Sequence, residues 1–336
     1  MKPKTRQRHA FRNLGLGIGL LAASVLLLIG CPSIAAQGRQ FRIGVLIPRP
    51  TFEMALEGLR EGLVQIGYHE GKDVAFMVES AQGEVASLAG QATKIVEAKP
   101  DVLFTLASSP TVEAKQATTT LPIVFAFVGD PLRLGLVASY ASSQNNLTGI
   151  TSHAGPLSGK RLEIFQEIAP GIKRVLVLVA PQESVETVSF QFLADAAPKL
   201  GIELRRHDVT SKMEIEQALG DVPRGAVDAF YFVPSTLVGT NIDLLIRKAM
   251  EDRIPLAVTE QPLVEQGALI SYGADIRLLG VQAAQLVAKI LKGAKPAEIP
   301  VQTPERIALA INLTAARAIG LDIPRSILER TDRFVE

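Results

Sequence analysis

Residues that could perform catalysis lack the spacing that the common reaction classes need. The chain has no G-x-S-x-G or S-x-x-K motif, and its four histidines never approach H-E-x-x-H spacing. GPLSGKR at residues 155–161 has three residues between its glycines instead of the four of a phosphate loop, and Arg161 stands where Ser or Thr would bind magnesium. It is therefore interpreted as a turn and helix start. The sequence predicts no catalytic residue, no metal site and no cofactor.

The segment LASSPT at residues 106–111 has the chemistry to bind an anion. Ser108 or Ser109 can cap a helix whose first position is Pro110, which leaves backbone N–H groups and the positive end of the helix dipole free. That arrangement suits a carboxylate, and Ser108, Ser109 and Thr111 are its candidate ligands. An ordinary N-cap without a ligand explains the same residues.

A carboxylate follows the next apolar run, in FVGDP at residues 127–131. Asp130 could receive the cationic group of a ligand. Alternatively, it closes an Asx turn before Pro131. Both interpretations require Asp130 to stand at the end of a strand.

Short β-rich runs alternate with helical stretches from Arg42 onward, and this rhythm starts again near Val175. Such alternation predicts an α/β protein with two Rossmann-like lobes, each with a parallel sheet flanked by helices. Open α/β sheets bind ligands beyond the carboxyl ends of their strands, so function is expected in the loops that follow strands. These loops are residues 48–51, 107–111, 128–131, 180–183, 234–236 and 259–261.

Polar residues in these loops complete the predicted site. Gln182, Ser235 and Glu260 are expected to line the cleft from the second lobe, and Asp275 is the alternative to Asp130 as partner of a cation. A small zwitterion needs opposite charges met within one desolvated space. The sequence thus predicts binding of a small molecule, such as an amino acid or a related zwitterion or carboxylate.

Composition excludes one class of partner. The 336 residues are 47% hydrophobic and 21% charged, enough for large cores. Five of the 35 Lys and Arg residues stand in the first thirty positions, which contain no acid, so the remainder has 30 bases against 34 acids. A mildly acidic remainder argues against a nucleic-acid partner, because phosphate binding needs a basic face.

The N-terminus has the pattern of an export signal, predicted over residues 1–36. Basic residues precede an apolar run at residues 14–29 that is too short for a comfortable membrane span. LIGC at residues 28–31 resembles the lipobox of bacterial lipoproteins, in which Cys31 would be lipidated; ordinary cleavage near SIAA at residues 33–36 is the alternative. Either route predicts a periplasmic protein, and on the lipoprotein route the lipid on Cys31 would be its only contact with the membrane. Cys31 is the only cysteine, so no disulfide within the chain is expected.

Many motifs occur together in the order typical of one family. They include FRIGVL at 41–46, EGLREGLVQIGY at 57–68, LPIVF at 121–125, VGDP at 128–131, SGKRL at 158–162 and SYGAD at 271–275. From residue 41 to about 336, the chain resembles the ABC transporter substrate-binding proteins, whose characterised relatives include tryptophan- and tyrosine-binding lipoproteins. The resemblance implies a type I periplasmic-binding fold with a hinge and a closing cleft, and an ABC permease in the inner membrane as partner.

Two positions bear on the ligand that the resemblance implies. Relatives usually have an Asn-Pro-x-Asn-like loop where this chain has APQE at residues 180–183, so their amino-acid specificity does not carry over. Tyr272 stands where the family has it, and it would either contact the ligand or pack in the hinge.

These observations together predict a solute-binding receptor of an ABC-type importer, not an enzyme. Lobe one is expected at residues 37–152 with a return segment at 274–296, and lobe two at 153–273 with 297–336. The alternatives are a lobe-closing enzyme, for which no reactive constellation was found, and a ligand sensor on the same fold. A transcriptional regulator would need a DNA-binding headpiece where the export signal stands.

Overall fold

Two sheets organise the part of the chain that the computed structural model describes, which is residues 39–336, with the backbone alone for residues 184–187. The first sheet has five parallel strands in the order β2-β1-β3-β4-β5. Its strands and the helices between them are β1 (Phe41–Ile47), α1 (Glu53–Gln65), β2 (Val74–Ser80), α2 (Leu88–Glu97), β3 (Val102–Leu106), α3 (Ser108–Ala117), β4 (Ile123–Val128) and β5 (Leu147–Thr151).

The second sheet has seven strands in the order β12-β11-β10-β9-β8-β6-β7, parallel except where β10 meets β11. The elements that follow β5 are α4 (Ala154–Ile168), β6 (Arg174–Val179), α5 (Ser184–Ala196), β7 (Glu203–Asp208), α6 (Lys212–Gly220), β8 (Ala229–Tyr231), α7 (Thr236–Thr240), α8 (Ile242–Asp252), β9 (Leu256–Val258), α9 (Gln261–Glu265), β10 (Ile270–Ala274), α10 (Ile276–Leu291), β11 (Ile307–Asn312), α11 (Leu313–Ile319), α12 (Arg325–Leu328) and β12 (Arg333–Val335). The predicted fold class, two α/β lobes with mostly parallel sheets, is confirmed.

Each sheet buries both faces, as parallel sheets do. On β6, Val175 and Val177 face a core that contains Phe165 of α4, while Leu176 faces the opposite core with Ile215 of α6. The first sheet is divided in the same way between α1 and α10 on one face and α2 and α3 on the other. This alternation follows from the two-residue period of a strand.

Helices α1 and α10 approach each other at the level of their backbones. A Cβ added at Gly280 would overlap the backbone oxygen of Ala55, and one added at Gly58 would overlap that of Arg277. Glycine is therefore needed at both positions to let the helices pack this closely.

Two interpretations of local sequence differ from the structure. GPLSGKR stands at the start of a helix, as expected, but it forms no turn, because α4 begins at Ala154 and contains both glycines. Gly155 serves packing instead: a Cβ there would overlap the ring of Phe192 on α5. Likewise, α3 begins at Ser108, two residues before Pro110, and its N-cap is Ala107, without a side-chain cap.

The chain crosses between the two sheets after β5, after β10 and after residue 302. Helix α10 packs on the first sheet. Residues 299–302 also contact this sheet, at β5: the hydroxyl of Thr148 donates to the Ile299 carbonyl at 2.9 Å, and the Gln302 N–H donates to the Gly149 carbonyl at 2.9 Å. The sequence placed this last crossing at residue 296.

Two observations concern the membrane. Within residues 39–336, none of the helices is both long enough and apolar enough to cross a bilayer. The predicted export signal and Cys31 lie outside the described residues.

An ion pair joins two strands of the second sheet. Arg174 at the start of β6 donates to Asp228 just before β8 at 2.6 Å, and Asp228 also accepts the backbone N–H groups of Arg174 and Lys173. The hydrogen bond from the Arg174 side chain, the largest cause, and these backbone donors lower the pKa of Asp228 to about 2.

Candidate ligand-binding site

A small cavity lies between the two lobes, where the carboxyl ends of both sets of strands meet. Its volume is about 20 Å³, enough for about one water molecule. Each of the six loops that the sequence singled out contributes at least one lining residue. The lining residues are Arg49, Phe52, Ala107, Ser108, Ser109, Phe127, Gly129, Ser152, Glu183, Pro234, Ser235, Thr236 and Glu260.

Two lining residues have backbone conformations that non-glycine residues rarely adopt. Ala107 has φ 69° at the end of β3, and Phe127 has φ 61° on β4, where the pairing with β5 shifts register. Such an irregularity redirects a side chain, and Phe127 packs edge-to-face against Phe52 at 5.2 Å between ring centroids. Each strained residue costs roughly 1–3 kcal/mol, and such residues cluster at functional sites.

An ion pair joins the lobes across the cavity. The guanidinium of Arg49, in the loop after β1, donates to the carboxylate of Glu260, in the loop after β9; their side chains are 4% and 1% exposed. Arg49 also donates to the hydroxyl of Thr51, and its Cζ lies 5.0 Å from the centroid of the Phe52 ring. A Cβ at Gly239 would lie 2.9 Å from that Cζ, so the guanidinium packs directly against the backbone of α7 at this glycine.

Glu183 makes the second set of contacts between the lobes. Its carboxylate accepts the hydroxyl of Ser109 from lobe one at 3.2 Å and the hydroxyl of Ser235 from lobe two at 3.1 Å. It also accepts the backbone N–H groups of Thr236 at 2.8 Å and Leu237 at 2.9 Å, at the start of α7. All four donors are neutral. The lobes are thus closed on each other through polar contacts.

One polar atom at the cavity is unused. The hydroxyl oxygen of Ser152 is buried and has no hydrogen-bond partner, and Ser152 lines the cavity. Buried polar groups usually have a partner, so this atom is available to a bound molecule.

The family follows from a comparison of the chain with known proteins. The model of the family described as ABC transporter substrate binding protein matches residues 41–335. The chain belongs to this family. The "Tyrosine-binding protein" of Clostridioides difficile strain R20291 is 26% identical to it over 285 residues, which cover 84% of this chain and 82% of that protein.

Solved structures share the fold. The "ABC domain in complex with L-Trp" from Streptococcus pneumonia is 24% identical, with a TM-score of 0.82 over 88% of this chain and 100% of that one. A ligand-free, open structure of a substrate binding protein with adhesive properties from Clostridium difficile is 25% identical, with a TM-score of 0.66 over 88% of this chain and 99% of that one.

Four of the predicted site residues line the cavity of this substrate-binding protein: Ser108, Ser109, Ser235 and Glu260. Ser108 does not cap α3; its hydroxyl accepts the Gly129 N–H at 3.1 Å and so ties the loop after β4 to α3. Gln182 lines a second cavity of about 70 Å³, which adjoins the first at its rim. Ser109 lines both cavities.

Thr111 and Asp130 lie outside the cavity that this family member forms. Thr111 is fully buried, and its hydroxyl donates to the Ala107 carbonyl at 2.7 Å. Asp130 accepts the Arg133 N–H at 3.1 Å, which closes the turn that the sequence offered as the alternative. Burial, and then the charge of Asp130, raise the pKa of Tyr140 above its ordinary value.

Tyr272 and Asp275 are also absent from the lining. Tyr272 is half-buried against the core of lobe two, and its carbonyl accepts from the buried side chain of Arg161 at 2.7 Å. Asp275 caps α10 by accepting the Leu278 N–H at 3.1 Å. Both residues lie next to a crossing between the lobes.

Several lining residues were missed among the individual sequence candidates. Arg49 and Glu183 stand in loops that were flagged, but neither was chosen. Phe52 and Phe127 lie beside flagged loops, and Ser152 follows β5, after which no loop was flagged. Arg49 had a usable signal, since it is the only charged residue in the loop after the first strand. The side chains of the described residues form no group of three or more metal ligands.

Proposed function

We propose that this protein is the extracytoplasmic solute receptor of an ABC-type importer and that it closes two lobes on a small solute of the amino-acid class. The observation that carries the proposal is the set of charged side chains from both lobes that are buried around the cavity. Because the cavity itself has room for about one water molecule, a solute would replace contacts between the lobes, such as the one from Ser109 to Glu183. Ligand pockets of α/β proteins lie at such strand ends and have a few convergent polar groups in an apolar surround. Named relatives that bind tyrosine and tryptophan support the ligand class.

Closure is the proposed signal. A solute that contacts both lobes stabilises the closed state by its higher affinity for that state, and the permease would recognise the resulting shift in population. No bond of the solute changes in this scheme. An enzyme on the same fold would consume the solute instead.

A solute screen tests the proposal. Purified protein should be titrated calorimetrically with amino acids and short carboxylates and amines, while product formation is followed by chromatography. A true ligand at about a hundred times its dissociation constant should raise the free energy of unfolding by roughly 2.7 kcal/mol. Stoichiometric binding without product supports the receptor; turnover, or no binding by any solute, contradicts it.

The predicted location needs a separate measurement. Mass spectrometry of the protein purified from cells is expected to show an N-terminus between residues about 30 and 37. A lipid on Cys31 would identify the lipoprotein route, whereas an unlipidated N-terminus beyond Cys31 would leave ordinary cleavage. An intact Met1 would contradict export by cleavage.

A further inference from the structure

We infer that the solute carries a net positive charge and that its cationic group binds between the carboxylates of Glu183 and Glu260. This inference rests on the proposed function and narrows its ligand class from amino-acid-like solutes in general to amines and basic amino acids. Three observations support the inference: the balance of charge around the cavity, the unpaired hydroxyl oxygen of Ser152, and the aromatic rings of Phe52 and Phe127 in the cavity lining.

Negative charge exceeds positive charge at the cavity. Of the charged residues that line it in the described part of the chain, Glu183 and Glu260 are acidic and Arg49 alone is basic. Arg49 is already paired with Glu260. The adjoining cavity at the rim adds Glu113 and no base. A cleft lined by one sign of charge attracts solutes of the opposite sign.

Glu183 is the residue whose charge lacks a counterpart. Glu183 is 4% exposed, and the four hydrogen bonds that it accepts from described residues come from two hydroxyls and two backbone N–H groups, none of which is charged. Neutral donors repay part of the desolvation penalty of a buried carboxylate, and an opposite charge repays more. Because both carboxylate oxygens already accept two hydrogen bonds, an ammonium or guanidinium group would supply that charge by displacing the Ser109 hydroxyl, whose hydrogen bond of 3.2 Å is the longest of the four.

Arg161 is the one other buried cation that calls for consideration. It is 1% exposed and donates to the Tyr272 carbonyl at 2.7 Å and to the Tyr231 hydroxyl at 2.9 Å. It does not line the cavity, so it reduces the negative potential there but donates no hydrogen bond to Glu183 or Glu260.

The remaining lining groups suit a cation as well. The Ser152 hydroxyl oxygen is buried without a partner and can accept from an ammonium. The Phe52 ring already has the Arg49 guanidinium over its face, and Phe127 packs against it. Aromatic faces and carboxylates together are a favourable environment for organic cations. A solute carboxylate would instead meet two buried carboxylates.

Two series of probes, each matched in skeleton and graded in charge, test the inference by calorimetry. The aliphatic series is cadaverine, L-lysine, L-norleucine and hexanoate, and the aromatic series is tyramine, L-tyrosine and 3-(4-hydroxyphenyl)propionate. In at least one series, the compound of highest positive charge among those that bind should bind at least tenfold more tightly than the neutral compound, L-norleucine or L-tyrosine. The anion of that series should give no binding heat.

Two variants assign the effect to Glu183. Glu183→Gln should reduce affinity for the preferred cation by a factor of ten or more while affinity for the neutral homologue changes less. Glu97→Gln removes the same charge from the exposed end of α2, which lines neither cavity, and should change cation affinity by less than twofold, because exposed charges are screened. Melting curves must show that both variants fold.

The outcomes separate this inference from the proposed function. If the neutral zwitterion or the anion binds more tightly than its cationic homologue in every series that binds, the inference is overturned and the receptor stays intact. An unchanged cation preference in folded Glu183→Gln has the same consequence. Absence of binding by every probe overturns the inference, and absence of binding by the whole solute screen contradicts the receptor too. If Glu183→Gln does not fold, the charge series on the unaltered protein still decides.

Discussion

Removing the Arg49 guanidinium is predicted to open the solute-free protein. Arg49→Met keeps most of the apolar volume over Phe52 but leaves Glu260 without its cation. In a rigid interior, breaking a buried ion pair from one side costs about 3–5 kcal/mol, because the remaining charge stays buried. Here the pair spans two lobes, so Glu260 can regain water when the cleft opens.

The expected shift in the equilibrium between closed and open protein follows from the free energy that the closed state loses. If the closed state loses even about 3 kcal/mol, its ratio to the open state falls roughly a hundredfold, since each 1.4 kcal/mol is a factor of ten. Glu260→Gln should act in the same direction, because it leaves the buried Arg49 unpaired. The double variant should be more closed than either single one, since neither charge is then stranded.

Distances between spin labels can measure this equilibrium. Cys31 is the only cysteine, so protein that starts at residue 37 accepts labels only where cysteine is introduced. Thr93 on α2 and Met213 on α6 are exposed and lie on different lobes. The label distance in solute-free Arg49→Met should be longer than in the unaltered protein. Identical distance distributions in both proteins, with the variant folded, would refute the reasoning.

Three further predictions concern stability. Asp228→Asn should lower the free energy of unfolding near neutral pH by about 1 kcal/mol, a value reduced to allow for solvent screening of the partly exposed ion pair. Because folding lowers the pKa of Asp228 to about 2, the ion pair stabilises the protein fully above about pH 4. In melts at acid pH, the difference between the two proteins should vanish as the pH falls towards about 2. Gly280→Ala should destabilise the protein by about 1–3 kcal/mol in urea titrations, whereas Gly90→Ala, on a helix with open space around its Cβ, should not destabilise it; equal effects would contradict the packing argument. Arg161→Met, at a fully buried side chain, should cost at least about 2 kcal/mol, and a melt like that of the unaltered protein would show that the guanidinium is dispensable.

The sequence was sufficient to locate the functional region but not its side chains. Loops that follow strands were identifiable because apolar runs end sharply at Pro, Gly and Ser. Which residue of a loop faces the cleft depends on backbone conformation that propensity does not encode. Phe127 turns inward at an irregularity of β4, and Asp130 closes a turn instead. Thr111 points back to Ala107 within its own helix.

Two strands lie where the sequence carries only weak local signals. The strand β5 is short and contains Gly149, and its stability comes from pairing with β4 and burial. Strand β11 runs antiparallel beside β10, which the alternating strand and helix pattern gave no reason to expect. Tertiary packing decided both elements, as it commonly does for short strands.

The partner of Arg49 was beyond local inference, since Glu260 lies 211 positions away. The pairing nevertheless has a physical rationale in a protein that must both close and reopen. An apolar contact of comparable size between the lobes would favour permanent closure, because exposing it to water is unfavourable. Buried charges reverse that preference, because water stabilises each of them once the cleft opens. Polar contacts between lobes keep the closed and open states close in free energy, so a single small solute has enough differential affinity to choose between them.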